Sequence, residues 1–365
     1  MSDAHRRYRS IKRALWQCFG PLKGHQMRHL NTLVALICGI VGARHVHLSK
    51  VADHTLGHGI QQESLIMRFR RWVKNPKVTW ETYMLPVAQE LLHALAHAPL
   101  VLVIDGMTVG RGGMALMISV VYGHRALPLV WVLERRKQGH FPQKMHRALL
   151  AQLAPLIPEG ATVYILGDGE FDGVDWLADI QARGWFYVCR TAPSLLMTAF
   201  DYQFSLGEVP IAPDQAWYCT DAYFTGREYG PLMIIGYWEA GYQDPLYLVS
   251  NLPSPVEAVA LYEKRALIET LFSDQKRRGF HIQATHLNAP ERLERLLIAT
   301  ALAYIWVVYL GVQALTEPWR RRLHRSDRCD LSLFQLGLRL LAYCLKEEFP
   351  IPPGLLPPLP APTTS

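Results

Sequence analysis

The order of apolar segments after residue 99 most restricts the fold of this 365-residue chain. Three strand-like runs stand at hairpin spacing, with Gly123 in the second turn. They are VLVIDG, ALMISVVYG and LPLVWVLE. Helical and strand-like segments then alternate, in the order PQKMHRALLAQLAPL, ATVYILGD, DWLADIQARG and WFYVCRT. This order predicts an α/β fold in which helices flank a mixed sheet.

A second feature is a set of four chemically active side chains in the segment LYEKRALIETLFSDQKRRG. Tyr262, Arg265, Glu269 and Lys276 have the spacing Tyr-x2-Arg-x3-Glu-x6-Lys. At 100° per residue, these positions fall within an arc of roughly 60° on one helix face. A carboxylate beside a guanidinium, an ammonium and a phenol suits a metal ion next to phosphate groups.

The ends of this helix are also marked in the sequence. Ser254 is the expected N-cap, Pro255 stands at the first helical position and Glu257 completes a capping box. Gly279 follows the basic run 276–278, as expected at a helix C-terminus. An adjacent apolar stripe predicts that one face packs while the four-residue face stays free. The stripe consists of Leu261, Ile268, Leu271 and Phe272.

Two aspartates close strand-like runs upstream of Glu269. Asp105 ends PLVLVIDG, and Asp168 ends ATVYILGD. Each carboxylate has a simpler interpretation: Asp105 and Asp168 stand beside glycine in turns, and Glu269 would be a solvated surface charge. Three further acidic residues compete with Asp168. Of Glu170, Asp172 and Asp175, we interpret the last two as capping or charge-complementing the helix DWLADIQARG.

The four-residue spacing, preceded by Asp105 and Asp168, resembles the Y-R-E-K signature of bacterial transposases of the insertion-sequence-four group. Those are DDE enzymes with a ribonuclease H-like core. The words IDGMTVGRGG and GDGEFDG also resemble blocks of that family. The resemblance covers residues 28 to 315 and implies a ribonuclease H-like mixed sheet, with Asp105, Asp168 and Glu269 as the catalytic residues.

The resemblance further implies a site for two Mg²⁺ ions, for which Mn²⁺ can substitute. Asp105 would bridge both ions, and Asp168 and Glu269 would each hold one. Hard cations prefer oxygen ligands, so three carboxylates suit displacement at phosphorus. Arg265 and Lys276 would neutralise phosphate oxygens near the scissile bond. Tyr262 would position the same strand.

The function implied is cut-and-paste DNA transposition of an insertion sequence. The enzyme would cleave at terminal inverted repeats and join the freed 3′ hydroxyls to target DNA. Two DNA ends must be held together, so a homodimer on DNA is expected, in the bacterial cytoplasm at the nucleoid. Two alternatives stay open: a related ribonuclease H-like nuclease, and a catalytically silent DNA-binding remnant.

Residues 1–95 are predicted to form a helical, helix-turn-helix-like region that binds the DNA ends. HLSKVADHTLG and QQESLIMRFRRWVKNP are interpreted as two helices separated by a turn. The second helix is made basic by Arg68, Arg70, Arg71 and Lys74. Arg68 and Arg71 are the predicted DNA contacts. A basic amphipathic helix is, however, more often simply a solvated face.

The catalytic core is assigned to residues 96–190 and 253–345, interrupted by a β-rich insertion at 191–252. In relatives, a Trp in the block matching PLYLVSNLP can stack on a base pulled out of the duplex. Leu246 takes that position here. Trp238 or Tyr247 could substitute as the DNA contact. Both are also plausible sheet-packing aromatics. The tail 346–365 is rich in proline and is predicted to be disordered.

Composition agrees with a polyanionic partner. The formal net charge is +7 and the isoelectric point is about 9.1. The six cysteines are scattered without a CxxC pair, which indicates reduced, mostly buried thiols. LLIATALAYIWVVYLGVQAL, residues 296–315, is apolar enough to cross a membrane. We interpret it as a buried core helix, because it follows the Y-R-E-K helix so closely, and we expect no membrane partner.

Overall fold

The computed structural model describes residues 1–22, 24–55, 60–136, 139–323 and 330–356. Helices occupy the first part of the chain, as predicted for residues 1–95. They are α1 (Asp3–Trp16), α2 (His25–Ala43), α3 (Leu48–Asp53), α4 (Gln62–Lys74), α5 (Trp80–Tyr83) and α6 (Leu85–Leu95). The two helices expected around a turn are therefore α3 and α4, and part of their connection lies outside the described residues.

A sheet with flanking helices follows. Its strands are β1 (Leu100–Val109), β2 (Gly113–Tyr122), β3 (Arg125–Arg135), β4 (Val163–Gly167), β5 (Phe186–Arg190), β6 (Leu196–Ala199), β7 (Tyr202–Ser205), β8 (Ala216–Phe224), β9 (Tyr229–Tyr237) and β10 (Leu246–Ser250). The helices are α7 (Gln143–Leu153), α8 (Val174–Gln181), α9 (Pro255–Tyr262), α10 (Leu267–Gln275), α11 (Pro290–Ala314), α12 (Trp319–Leu323) and α13 (Leu333–Lys346).

The first five strands have the order β3-β2-β1-β4-β5. β1, β2 and β3 form an antiparallel meander, whereas β4 and β5 run parallel to β1. Successive residues of β2 are buried, so both faces of the sheet are covered. The helices α7 and α8 pack on each other and on the sheet, and α9, α10 and α11 also contact it. This is the mixed, ribonuclease H-like sheet that the sequence predicts.

The strands of the predicted insertion extend this sheet instead of forming a separate one. β10 pairs antiparallel with β5, and the order continues β10-β9-β8-β6-β7. The predicted β-rich character of residues 191–252 is therefore present, and the boundaries of a separate domain stay a prediction.

The long apolar helix α11 is the centre of the hydrophobic core. It is long and apolar enough to cross a membrane, but 89% of its most apolar window is buried within the protein. It packs on α13 through two glycines: a Cβ at Gly311 would lie 1.9 Å from the Leu333 carbonyl oxygen, and one at Gly337 would lie 1.9 Å from that of Val307. The helices α2 and α4 and the strand β3 also contact α11. The interpretation of a buried core helix agrees with this burial.

The N-terminal helices and the end of the chain both pack on the core. The Arg295 guanidinium of α11 donates to the carbonyls of Val78 (3.0 Å) and Val73 (3.1 Å), which joins α11 to the end of α4 and to the segment after it. Residues 346–356 differ from the predicted disorder, because Leu355 is buried and the Tyr309 hydroxyl donates to the Pro353 carbonyl. The rest of the predicted tail lies outside the described residues.

Candidate active site

The sheet places Asp105 and Asp168 at one level of two neighbouring parallel strands. Val103 of β1 is opposite Leu166 of β4, and Asp105 and Asp168 each follow two residues later. Asp168 ends its strand as predicted. Asp105 does not, because β1 stays paired with β2 as far as Val109 and therefore continues past the acidic residue.

A single guanidinium, that of Arg265, lies against all three predicted catalytic carboxylates. Its Nη2 lies 2.7 Å from Oε1 of Glu269, and its Nη1 lies 3.6 Å from Oδ2 of Asp105 and 3.9 Å from Oδ2 of Asp168. The Arg265 side chain is 18% exposed. Three carboxylates from β1, the end of β4 and α10 thus meet beside one partly buried cation.

The cluster holds more negative charge than Arg265 neutralises. Burial raises the pKa of Asp105 to about 6, and the charges of Asp168 and Glu269 raise it as well. The Gly106 N–H, which donates to Asp105 Oδ1 at 2.6 Å, and the Arg265 guanidinium act in the opposite direction. The ionised form of Asp105 is therefore less favourable than that of a free aspartate. An additional cation at this position would stabilise the ionised form.

Tyr262 and Lys276 lie at the same cluster. Burial raises the pKa of Tyr262 to about 12, although Arg265 and Arg190 lower it. The phenol is therefore protonated at neutral pH and can donate a hydrogen bond. Burial lowers the pKa of Lys276, whereas the negative charge of Asp105 raises it. The structure thus brings together the four residues of the predicted helix face and the two aspartates.

The segment that carries these four residues is not one continuous helix. α9 ends at Tyr262, a 3₁₀ turn spans Glu263–Ala266, and α10 ends at Gln275. The predicted arc at 100° per residue therefore does not apply across Arg265, and Lys276 lies beyond the helix with φ −92° and ψ −124°. The tertiary contacts of each side chain, and not a uniform helical phase, bring them together.

The predicted helix boundaries are partly correct. Ser254 Oγ accepts the Glu257 N–H at 3.2 Å, as an N-cap should. The Glu257 carboxylate accepts from the Tyr164 hydroxyl (3.2 Å) and does not complete a capping box. Gly279 is required for a close approach and not for a left-handed cap, because a Cβ there would lie 2.0 Å from the Asp274 carbonyl oxygen.

The acidic competitors of Asp168 have other partners. Glu170 accepts from the Phe141 N–H and contacts His146 (3.4 Å), while Asp172 accepts from the Thr191 hydroxyl at 2.7 Å. The predicted capping of α8 by Asp172 is therefore wrong, and Gly173 takes the N-cap position. Asp175 does lie in the first turn of α8, where it complements the helix dipole and pairs with Arg227 at 2.8 Å.

Arg190 was not predicted from the sequence as a site residue. Gly167 of β4 is opposite Cys189 of β5, so Arg190 lies at the level of Asp168. It lines a cavity of about 410 Å³ together with Tyr262, Arg265 and Leu246. The signal was available, since Arg190 stands near the end of the strand-like run next to the one that ends in Asp168.

The other predicted DNA contacts lie outside this cluster. Arg68 is half-buried and donates to the Thr32 hydroxyl at 3.0 Å, whereas Arg71 is exposed. Trp238 donates its indole N–H to the Tyr242 carbonyl at 2.9 Å. Tyr247 is 6% exposed. Since strand residues alternate in direction, Tyr247 faces away from the cavity that its neighbour Leu246 lines. Base stacking by Tyr247 stays a prediction that this burial disfavours.

The donor chemistry of the cluster fits a hard divalent cation, since Asp105, Asp168 and Glu269 supply only carboxylate oxygens. Within the described ranges, no group of three or more His, Cys, Asp or Glu side chains is arranged to hold a metal ion. Arg265 lies against the three carboxylates and supplies opposing charge.

The strand order and the flanking helices define a ribonuclease H-like fold, and its cluster brings three carboxylates together beside Arg265. Residues 97–306, more than half of the chain, match the family model of the transposase DDE domain. The chain therefore belongs to the DDE transposase family, whose members catalyse DNA cleavage and strand transfer. The matched range contains Asp105, Asp168 and Glu269.

Two further comparisons complete the picture. No curated protein sequence shows a significant match to the chain. Among solved structures, the chain is similar to the cryo-EM structure of the piggyBac transposase synaptic complex with hairpin DNA. The TM-score is 0.48 at 12% sequence identity, with 100% of this chain and 86% of that chain covered.

Proposed function

We propose that this DDE transposase carries out cut-and-paste transposition of a bacterial insertion sequence, as a member of the insertion-sequence-four group. It cleaves at the terminal inverted repeats and joins the freed 3′ hydroxyls to target DNA. The observation that carries the proposal is the contact of Arg265 with carboxylates from β1, the end of β4 and α10. The Y-R-E-K spacing supports the assignment to the group.

Asp105, Asp168 and Glu269 are the residues that would hold two Mg²⁺ or Mn²⁺ ions. When bound, these ions would supply Lewis-acid polarisation of the phosphodiester and of the attacking oxygen. Burial raises the pKa of Asp105 to about 6, and the charges of Asp168 and Glu269 raise it as well, so a bound cation would stabilise the ionised carboxylate.

The basic residues of the cluster would bind the DNA strand that is cut. Arg265 and Arg190 both line the cavity beside Tyr262, so their guanidinium groups can form paired hydrogen bonds with phosphate oxygens. Lys276 would add a point charge near Asp105. Tyr262, protonated at neutral pH, would donate a hydrogen bond to an oxygen of the same strand and so fix its position.

The partners follow from this chemistry. The terminal inverted repeats and the target DNA are the substrates, and a homodimer would hold the two ends in one complex. Arg71, exposed on α4, would contribute to binding of the ends. We place the protein in the bacterial cytoplasm, associated with the nucleoid.

The test uses the purified protein with Mg²⁺ and a plasmid that carries the gene with its native flanks. Breaks are mapped to the nucleotide, and joined products are sequenced. The unmodified protein should cut at matching inverted repeats and join 3′ ends to target DNA, and Glu269→Gln should do neither. Glu159→Gln is the matched control, because Glu159 is exposed in the loop before β4 and outside the cluster.

Two other outcomes would overturn the proposal in different ways. Breaks without joined products would indicate a related ribonuclease H-like nuclease. Binding to the flanks without any breaks would indicate a catalytically silent remnant.

A further inference from the structure

A second group of cations surrounds a cavity of about 320 Å³ that none of the carboxylate-cluster residues line. The cavity lies between α3, α4, the start of α11 and the segment that precedes α11. Its basic or titratable lining residues are His47, Arg70, Lys74, His286 and Arg292. The hydroxyl-bearing residues Ser49 and Thr285 also line it. None of its lining residues within the described ranges is an aspartate or glutamate.

The three permanent cations are held together at an energetic cost. Arg70 and Lys74 are one turn apart on α4, where like charges repel. Arg292 lies in the first turn of α11, where the helix dipole disfavours positive charge. Among the described residues, none of these three side chains forms an ion pair with a carboxylate. An anion from outside the chain would remove this repulsion.

The histidines add hydrogen-bonding groups to the same cavity. His47 Nε2 lies 3.3 Å from His286 Nδ1, and the Ser49 hydroxyl lies 2.8 Å from His47 Nδ1. Burial lowers the pKa of His47, as do the neighbouring His286, Lys50 and Arg70. His47 is therefore neutral at pH 7. Cations and polar groups thus converge on one cavity of a size that suits a small anion.

We propose that this cavity binds a phosphodiester group of the DNA backbone. The inference rests on the proposed function, in which DNA is the substrate. Arg70, Lys74 and Arg292 supply the opposing charge, and the polar groups of the cavity supply hydrogen bonds. Duplex DNA fits better than a free anion, because exposed Arg71 on the same helix extends the positive surface beyond the cavity.

The position of the cavity gives this contact a second consequence. Its wall includes Thr285 and Leu287, which pack against Gly110 directly after β1: a Cβ at Gly110 would lie 3.0 Å from Thr285 Cγ2 and 3.2 Å from the Leu287 carbonyl oxygen. The segment that precedes α11 and carries Thr285 and Leu287 begins beside α10. There the His281 N–H donates to the Lys276 carbonyl at 2.8 Å. A phosphate bound here therefore links the N-terminal helices to β1 and α10, two of the three elements that carry the carboxylate cluster.

The experiment measures DNA affinity of the full chain carrying Glu269→Gln, which prevents cleavage. Fluorescence anisotropy with a short labelled duplex of unrelated sequence is recorded over a series of salt concentrations. Arg70→Gln with Lys74→Gln should weaken binding on the order of tenfold at low salt and reduce the slope of log K against log salt by about 1. Arg339→Gln with Lys346→Gln, on exposed positions of α13, removes the same charge and should leave the slope unchanged.

A second measurement does not depend on variants. Diethyl pyrocarbonate modifies accessible imidazoles, and mass spectrometry reports each histidine separately. Addition of the duplex should slow modification of His47 and His286 but not of His97, which is exposed between α6 and β1. Inorganic phosphate is the comparison ligand.

The outcomes separate the two proposals. If the Glu269→Gln protein binds DNA and the two double variants behave alike, the cavity proposal is overturned while the transposase proposal stands. If inorganic phosphate protects the two histidines and DNA does not, the cavity is a free-anion site and the proposal is likewise overturned. If the Glu269→Gln protein does not bind DNA under any salt condition, the proposed function itself fails.

Discussion

Arg265→Gln should destabilise the metal-free protein more at high pH than at low pH. The substitution removes the guanidinium that opposes the charges of Asp105, Asp168 and Glu269. The Glu269 side chain is 60% exposed and that of Asp168 is 37% exposed, so each pair contributes under about 1 kcal/mol after solvent screening. Breaking a fully buried ion pair costs about 3–5 kcal/mol. The Asp105 side chain is 20% exposed, so loss of its pair with Arg265 should cost less than that. We therefore expect Arg265→Gln to lower the free energy of unfolding by about 2–3 kcal/mol at pH 8.

The pH dependence follows from the pKa of Asp105, which burial raises to about 6 in the folded protein. A carboxyl whose folded pKa lies above its unfolded value makes the folded state lose stability as pH rises from about 4 to 6. Loss of Arg265 raises the pKa of Asp105 further, so this destabilisation becomes larger and extends to higher pH. At pH 5 Asp105 is mostly protonated, and the variant should lose under about 1 kcal/mol.

Urea unfolding followed by tryptophan fluorescence, in the presence of a chelator, measures the free energy of unfolding at pH 5 and at pH 8. Arg339→Gln, on the exposed face of α13, is the control and should change the free energy of unfolding by under about 0.5 kcal/mol at either pH. Addition of Mg²⁺ should restore more stability to Arg265→Gln than to the unmodified protein. An equal loss at pH 5 and pH 8 would refute the reasoning, because the carboxylate repulsion would then not be its cause.

Two further predictions concern Asp274, which lies in α10, and Gly279, which lies shortly after it. Asp274, whose side chain is 4% exposed, lies 3.5 Å from Arg125, yet burial outweighs this pairing and raises its pKa to about 6. The stability advantage of the unmodified protein over Asp274→Asn should therefore fall by about 1–2 kcal/mol between pH 5 and pH 8 in urea titrations; a pH-independent difference would contradict this. Gly279→Ala should cost about 2–3 kcal/mol, because its Cβ would lie 2.0 Å from the Asp274 carbonyl oxygen. Gly226→Ala, with nothing within 4 Å of its Cβ, should change little in the same thermal unfolding assay, and equal effects of the two substitutions would show that the close approach does not matter.

Much of the fold could be predicted because its signals are local. Apolar runs at hairpin spacing gave β1, β2 and β3, and the alternation that followed gave α7, β4, α8 and β5. Ser254 marked the start of α9 through its own hydrogen bond to a nearby N–H. These signals depend on residues a few positions apart, so they can be recognised without knowledge of the rest of the chain.

Features that depend on contacts between distant segments were not fixed by the sequence pattern. The pairing of β10 with β5, which merges the insertion with the central sheet, joins residues about 60 positions apart. The burial of Tyr247 follows from that pairing, because it decides which strand face points into the core. The 3₁₀ turn at Glu263–Ala266 interrupts a sequence whose spacing alone predicts a regular helix.

The same division applies to the candidate site. The sequence by itself determined which residue types are available: two aspartates at strand-like runs and a Tyr, Arg, Glu and Lys in one downstream segment. Only the tertiary structure decided that Arg265 contacts the three carboxylates at once and that Arg190 lies at the level of Asp168. The physical reason is that side-chain periodicity is encoded locally, whereas the register of β1, β4 and β5 and the docking of α10 are set by how the whole core packs.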